Sequence, residues 1–418
     1  MIDIGDFFIH NKCMINIDLI RKDPQWVTEQ LTKRDYVVDF NGLLKADTEK
    51  RALQSKTDEL KSKRNIGSKG KPTAEQIAEM KKIGEAIAGN DAKIKELEKK
   101  IYDFMVSIPN IPADDVVPGG KRNNKVLRTF GERQAAGNSH YDICVDLGLI
   151  DYERAAKISG TKTWIYTDQG AMLEWALLNY FIDFHISNGY KFLLLPHLLN
   201  YQSGLVAGQF PKFADDVFMV DDKFLLPTAE TALINLHRDE IIKTLPIKYA
   251  GYTPCYRKEA GSYRADERGM IRGYQFNKVE MFVFCEPKDT DAFFAELVGY
   301  AEELVKGLGL TYQVVALAAG DMSSAMTRTH DIEVFIPSMN KYIEVSSVSA
   351  CGDYQSRRGM IRFKGDKGTE YVHTLNASGL ATSRLIPAIV EQFYRPDGTV
   401  EIPKVLHKYI HGLTILGK

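Results

Sequence analysis

One stretch of this sequence puts ionised side chains where a sheet would normally bury apolar ones. In CYRKEAGSYRADERGMIRGYQFNKVEMFVF, residues 255–284, Arg257 and Glu259 stand two apart. Further on, Arg272, Tyr274, Phe276, Lys278, Glu280 and Phe282 alternate with Gly273, Gln275, Asn277, Val279, Met281 and Val283. Side chains two apart on a strand share a face, so the run reads as two strands with polar and apolar groups mixed on both faces. Burying such charge unpaired is costly. The hairpin is therefore either a solvent-facing ribbon laced with ion pairs or a floor that a charged ligand completes.

Three other stretches share this oddity. DQGAMLEWALLNYFIDFHISNGYKFLLLP, residues 168–196, reads as a helix and then a strand ending at Pro196. EVSSVSACGDYQSRR, residues 344–358, sets Glu344 and Ser346 on a strand, with Arg357 and Arg358 beyond it. LNASGLATSRLIPAIVEQF, residues 375–393, opens with Asn376, Ser378 and Gly379 and carries Arg384 one turn into an amphipathic helix. Taken singly, these are a core helix, a polar strand end and a well-capped helix.

The elements that must position these groups follow from the rest of the chain. At 418 residues it is long enough for two or three domains, and 44% hydrophobic with 26% charged residues is an ordinary globular balance. A formal charge of −1 excludes a strongly basic protein but leaves room for a local basic patch. The five cysteines form no CxxC and the nine histidines no HExxH, so neither a disulfide framework nor a protein-held transition metal is expected. No apolar run approaches a membrane span, and Asp3 and Asp6 stand where a signal peptide carries positive charge, so a cytoplasmic location is expected.

Residues 46–104 shift toward Lys, Glu, Ala and Leu. Met80, Ile83, Ile87, Asn90, Ile94, Leu97, Ile101 and Phe104 alternate three and four apart, a coiled-coil seam with one polar position. Ala46, Leu53 and Leu60 repeat at seven and suggest the partner helix. Between them RNIGSKGKPTAEQ turns the chain, and Thr73 with Gln76 has capping-box spacing. GSKGK, residues 67–71, lacks the spacing of a phosphate loop. Residues 45–104 hold 15 Lys or Arg against 11 Asp or Glu, a net of +4. A hairpin this long buries only a narrow seam unless something docks on it. IPNIPADDVVPGG, residues 108–120, is the expected hinge. Beyond it, strands such as KFLLLP, DKFLLP, EMFVF, EVFIP and KYIEVSS interleave with expected helices at 171–187, 228–241, 291–308 and 379–394, without GxGxxG. That pattern predicts an α+β sheet with antiparallel hairpins.

Together these stretches resemble motifs 1, 2 and 3 of the class II aminoacyl-tRNA synthetases. YRKEAG, RGMIRGYQFNKVEMF, LLPTAETALINL, YIEVSS and LNASGLATSR are similar to the seryl-tRNA synthetase family, and the helical hairpin resembles that family's tRNA-binding arm. The resemblance runs from about Met14 to the end. It implies a class II antiparallel sheet with flanking helices behind an antiparallel coiled-coil arm of about 45–104. The implied domains are a tRNA-binding region at 14–115 and a catalytic region at 116–418, with 1–13 as an extension. The implied reaction joins L-serine to ATP as seryl-adenylate and then transfers the seryl group to tRNA(Ser).

On the matching positions, Arg257 would clamp the α-phosphate and the serine carboxylate, and Arg384 and Arg272 the outer phosphates. Glu259 would accept from the adenine amine while Phe276 stacks on the ring, with Lys258, Gly273, Val345 and Ser346 completing the ATP site. Glu344 and Ser347 would hold Mg²⁺. Serine would fall to Thr228, Ala229, Glu230, Glu280, Asn376 and Ser378, together with Arg257. Residues 260–270 would form the motif 2 loop reaching an acceptor stem, and the helix from Ala171 to Ile186 would form a homodimer interface. The family usually has His where Tyr274 stands, Gly at Ala377, Thr-Gly-Gln-Leu at 207–210 and Ser-Cys-Ser-Asn at 347–350. A paralogue that loads a carrier protein is expected to lack the arm, and a non-catalytic scaffold to have lost some of Arg257, Glu259, Glu344 and Arg384; this chain retains all of them.

Overall fold

The computed structural model describes residues 15–67, 73–259, 269–366 and 368–417. The 1–13 extension, most of GSKGK and residues 260–268 of the motif 2 loop lie outside these. The described residues divide into two compact units. One runs to Pro109 but leaves out Lys33–Asp35, and the other comprises Lys33–Asp35 and Asn110 onward. Those three residues belong to the second unit because the buried Arg34 guanidinium donates to the carbonyls of Asn110 at 2.7 Å and Ala319 at 3.2 Å, and to that of Met326.

The first unit holds α1 (Ile17–Lys22), α2 (Pro24–Thr32), α3 (Asn41–Gly67) and α4 (Ala74–Met105). Thr73 and Gln76 form the expected capping box at the start of α4. Ile87, Ile94, Leu97 and Ile101 are buried against α3. The polar seam position is satisfied across the pair, Asn90 Nδ2 donating to the buried Thr57 Oγ1 at 3.1 Å. Asp47, also buried, is held by Arg21 and Arg51, which keep its carboxyl below the usual range against the opposing effect of burial.

The second unit is built on one sheet. Its strands are β1 (Lys125–Phe130), β2 (Lys191–Leu194), β3 (Ile247–Tyr256), β4 (Gln275–Cys285), β5 (Tyr312–Ala316), β6 (Arg328–Ile336), β7 (Lys341–Gly352) and β8 (His373–Ala381). They lie in the order β1-β5-β6-β7-β8-β4-β3-β2, antiparallel except for the β2–β3 pair. Three helices, α5 (Asp168–Ser187), α7 (Thr290–Gly307) and α8 (Thr382–Gln392), cover one face. Leu173, Leu177, Leu297, Leu304, Leu385 and Ile389 pack there against Val279, Met281 and Val283 of β4. The alternate residues Phe282 and Phe284 pack on the other side with Val206 and Leu233.

Two expected helices differ from what the chain does. The segment expected to be helical at 228–241 forms only a short α6 (Glu230–Leu233) and a tighter turn to His237 before extending at Ile241–Ile242. The helix expected from 379 begins at Thr382, because β8 runs through Ser378 and Gly379 to Ala381. Gly379 must be glycine for a local reason: a Cβ there would meet His185 Nε2 of α5 at 2.3 Å. That ring nitrogen lies 2.9 Å from the Gly379 carbonyl, and burial lowers the His185 pKa to about 4, so the neutral ring donates.

Candidate active site

The cleft lies where β4 meets β8 and β3. Glu280 of β4 pairs with Ser378 of β8 and Gly251 of β3, and the β4–β8 ladder shifts register between Lys278 and Glu280. Arg257, Glu259, Arg272, Gly273, Phe276, Glu344, Val345, Ser378 and Arg384 line the cleft together. The predicted nucleotide residues are thus largely brought together.

Most of their charges are paired inside the protein, a correction to the idea that a ligand alone completes them. Arg272 reaches Glu259 at 3.1 Å. Arg384 donates to the Glu344 carbonyl at 2.8 Å and faces its carboxylate at 3.5 Å. Lys278 and Glu280 form a buried ion pair. Arg257 is the exception: among the described residues it makes no carboxylate pair. It is held by its backbone bond to the Tyr274 carbonyl at 3.0 Å, by Nε to the Pro227 carbonyl at 3.2 Å, and by lying 5.2 Å over the Phe276 ring. Its guanidinium is therefore fixed in place and still able to meet an anion.

A second, deeper group adjoins it. Glu280 Oε2 accepts from Thr228 Oγ1 at 3.1 Å, and Lys278 Nζ donates to the same hydroxyl at 2.6 Å. Glu230 is buried and accepts from Gln355 Nε2 at 2.6 Å and Asn376 Nδ2 at 3.0 Å. Burial, and then repulsion from Glu280, raise the Glu230 pKa to about 7. Lys278 already pairs with Glu280, and its charge offsets only part of the effect on Glu230. Ala229 is buried in the adjoining apolar cluster, and Ser346 Oγ donates to the Ser378 carbonyl at 2.6 Å.

Two predicted residues stand elsewhere. Lys258 points its ammonium at the Asp215 carbonyl, 3.2 Å away, on the exposed side. Ser347 pairs in register with Asp331 of β6 and hydrogen-bonds its carboxyl, near Glu344. Asp331 is buried, its Oδ1 has no hydrogen-bond partner, and burial with the nearby Glu344 charge raises its pKa well above the ordinary range. Glu344, Ser347 and Asp331 offer only oxygen, the donor set that suits a hard cation.

Three contributors escaped the sequence reading. Lys278 did not: two apart from Glu280 on one strand face, it makes the ion pair that this spacing allows. Gln355, which orients Glu230, carried no signal. Nor did Lys162, which donates to the Glu259 carbonyl at 3.2 Å and lies 5.5 Å over the Tyr274 ring. Trp164 fills the space beside Gly273, where a Cβ would meet its ring at 2.1 Å. These contacts join segments far apart in the chain.

Comparison with known proteins gives a consistent outcome. Residues 14–112 match the seryl-tRNA synthetase N-terminal domain, and 213–393 the tRNA synthetase class II core domain (G, H, P, S and T). The chain is 52% identical over 420 residues to serine–tRNA ligase 2 of Clostridium acetobutylicum, covering 95% of this chain and 99% of that one. It is 42% identical over 418 residues to the serine–tRNA ligase of Thermodesulfovibrio yellowstonii, covering 95% and 99%. Among solved structures, the seryl-tRNA synthetase of Pyrococcus horikoshii complexed with ATP superposes with a TM-score of 0.90 at 32% identity, over 96% of this chain and 99% of that one.

Proposed function

This chain belongs to the seryl-tRNA synthetase family, and from that premise we propose that it activates L-serine with ATP and esterifies a serine-accepting tRNA. The observation that carries the reading is the juxtaposition of Arg257, which pairs with no carboxylate among the described residues, with the buried Thr228, Glu230 and Glu280. In the first step a serine carboxylate oxygen attacks the α-phosphorus, the P–O bond to the β-phosphate breaks, and pyrophosphate leaves. In the second a terminal ribose hydroxyl attacks the carbonyl and AMP leaves. The first step gathers negative charge at phosphorus, so preset donors are what accelerate it. Arg257 would meet the α-phosphate and the serine carboxylate with its two-pronged edge, while Arg272 and Arg384 are already aimed by Glu259 and Glu344. Phe276 would face the adenine.

The serine ammonium would sit beside Glu230 and Glu280, a second cation next to Lys278. Serine's hydroxyl must be read by partners at the Thr228 end, since size alone admits glycine and alanine; a site of that kind discriminates by roughly 10⁴. Glu344 and Ser347 would hold Mg²⁺, with most of its coordination left to phosphate and water oxygens; when bound, the ion offsets triphosphate charge. Among the described residues no set of three or more His, Cys, Asp and Glu is arranged for a metal ion. The test is serine-dependent ATP–pyrophosphate exchange followed by charging of tRNA. Exchange with no charging of any serine tRNA would overturn the reading in favour of a carrier-loading enzyme.

A pH dependence follows from Glu230. Its carboxyl titrates near 7 in the free protein, whereas a bound ammonium favours the ionised form, so serine binds better as pH rises through that value. KM for serine is expected to climb by up to about tenfold per pH unit below 7, and Glu230→Gln to flatten the profile at a uniformly higher KM. Steady-state exchange between pH 5.5 and 8.5 measures it.

We further propose a homodimer through α5 and the sheet edge. Support comes from Trp175 at 54% and Leu194 at 75% exposure, the first on α5 and the second on edge strand β2. Sedimentation equilibrium is expected to give twice the chain mass of 47.1 kDa, and a monomer at micromolar concentration counts against this interface.

A further inference from the structure

Glu174 is buried on α5, among Leu173, Leu177 and Leu178, on the side of the sheet away from the cleft. A leucine would pack there without the desolvation penalty of a carboxyl. Its Oε1 instead accepts two hydrogen bonds, from Asn277 Nδ2 of β4 at 2.6 Å and from Thr382 Oγ1, the first residue of α8, at 2.7 Å. The Thr382 hydroxyl is also 3.2 Å from the Asn277 carbonyl, and Asn277 Oδ1 accepts from Tyr252 of β3 at 3.2 Å. Burial raises the Glu174 pKa to about 7.

The position of this knot in the ladder gives it meaning. Lys278 pairs with Ala381 but Glu280 pairs with Ser378, so β8 carries an extra residue there and the sheet's regular pairing lapses. The lapse lies between Ser378 and Ala381, at the end of β8 and just before α8, which carries Arg384. Asn277 lies between Phe276 and Lys278, whose side chains alternate to the cleft side. One carboxylate oxygen thus adds a side-chain tie between the segment bearing Phe276 and Lys278 and the segment bearing Arg384, where the ladder is interrupted after the Lys278–Ala381 pair and the guanidinium itself rests on the Ile271 and Glu344 carbonyls.

We propose that Glu174 is a positioning residue for adenylate formation, fixing the α8 guanidinium relative to the β4 aromatic and ammonium groups. This rests on the seryl-adenylate reading above. A small misplacement of such groups costs about 10²-fold in rate, and the loss falls on the transition state rather than on substrate binding.

The test is serine-dependent exchange on the full-length protein, normalised by active-site titration, for Glu174→Leu, Glu174→Gln, Thr382→Val and Thr382→Ser. Glu174→Leu is expected to lower kcat per active site about 10²-fold with KM for ATP and serine within threefold of the parent. Glu174→Gln, which keeps an acceptor, recovers at least tenfold of that loss, and Thr382→Ser recovers what Thr382→Val loses. A Glu174→Leu value within threefold of the parent, or a fall in active fraction with normal kcat per site, overturns the proposal. Absence of serine-dependent exchange in the parent protein would instead overturn the underlying reading.

Discussion

Arg257→Ala is expected to lower kcat for serine-dependent ATP–pyrophosphate exchange by roughly 10²–10³-fold, the usual loss when one preset donor to a developing anion is removed. The expectation rests on its difference from its neighbours. Arg272 and Arg384 already spend part of their hydrogen-bonding capacity on Glu259 and Glu344, so removing either also frees a carboxylate and muddles the reading. Among the described residues Arg257 is anchored by a carbonyl and a ring face instead, so on the proposed function its outward nitrogens would serve the reacting phosphate and carboxylate. Arg257→Lys is expected to restore little, because a point charge cannot span two oxygens. Pre-steady-state adenylate formation isolates the step, and a loss confined to KM for ATP would show that Arg257 serves binding alone.

Deleting residues 45–104, with Leu44 joined to Met105 by a short Gly-Ser linker, is expected to cut tRNA charging by about 10³-fold or more while exchange stays within about threefold. The basis is that phosphate contacts supply most nucleic-acid affinity and fade together when the cationic surface goes. The deleted segment carries the net +4 and belongs to a different compact unit from the cleft. Equal losses in both assays would mean that the hairpin supports the cleft's own integrity.

Local pattern made the helical hairpin and the strands visible, because both express a repeat that a neighbouring residue cannot hide. Met80 to Phe104 announce α4, and alternation in 275–285 announces β4. The start of α8 misled for a physical reason. Ser378 and Gly379 look like a cap and a breaker, yet Gly379 is glycine because the His185 ring occupies its side-chain space, a contact between positions far apart in sequence. The polar residues of the hairpin and of motifs 1 to 3 were visible by type, and most of their partners were not. The Lys278–Glu280 pair, two apart on one strand, was within reach of the pattern, whereas Gln355, Trp164 and Glu174 act across distances that no window along the chain contains.

The bond between Asn90 and Thr57 has a mechanical consequence for the long hairpin. A slip of one heptad between α3 and α4 would part the two residues and set Asn90 against Lys50 or Arg64 instead of Thr57. One polar lock therefore turns two sliding rods into a gauge of set reach, about 48 Å for the 32 residues of α4 at ~1.5 Å apiece. On the function proposed above, an arm that cannot telescope would meet a tRNA at one fixed reach.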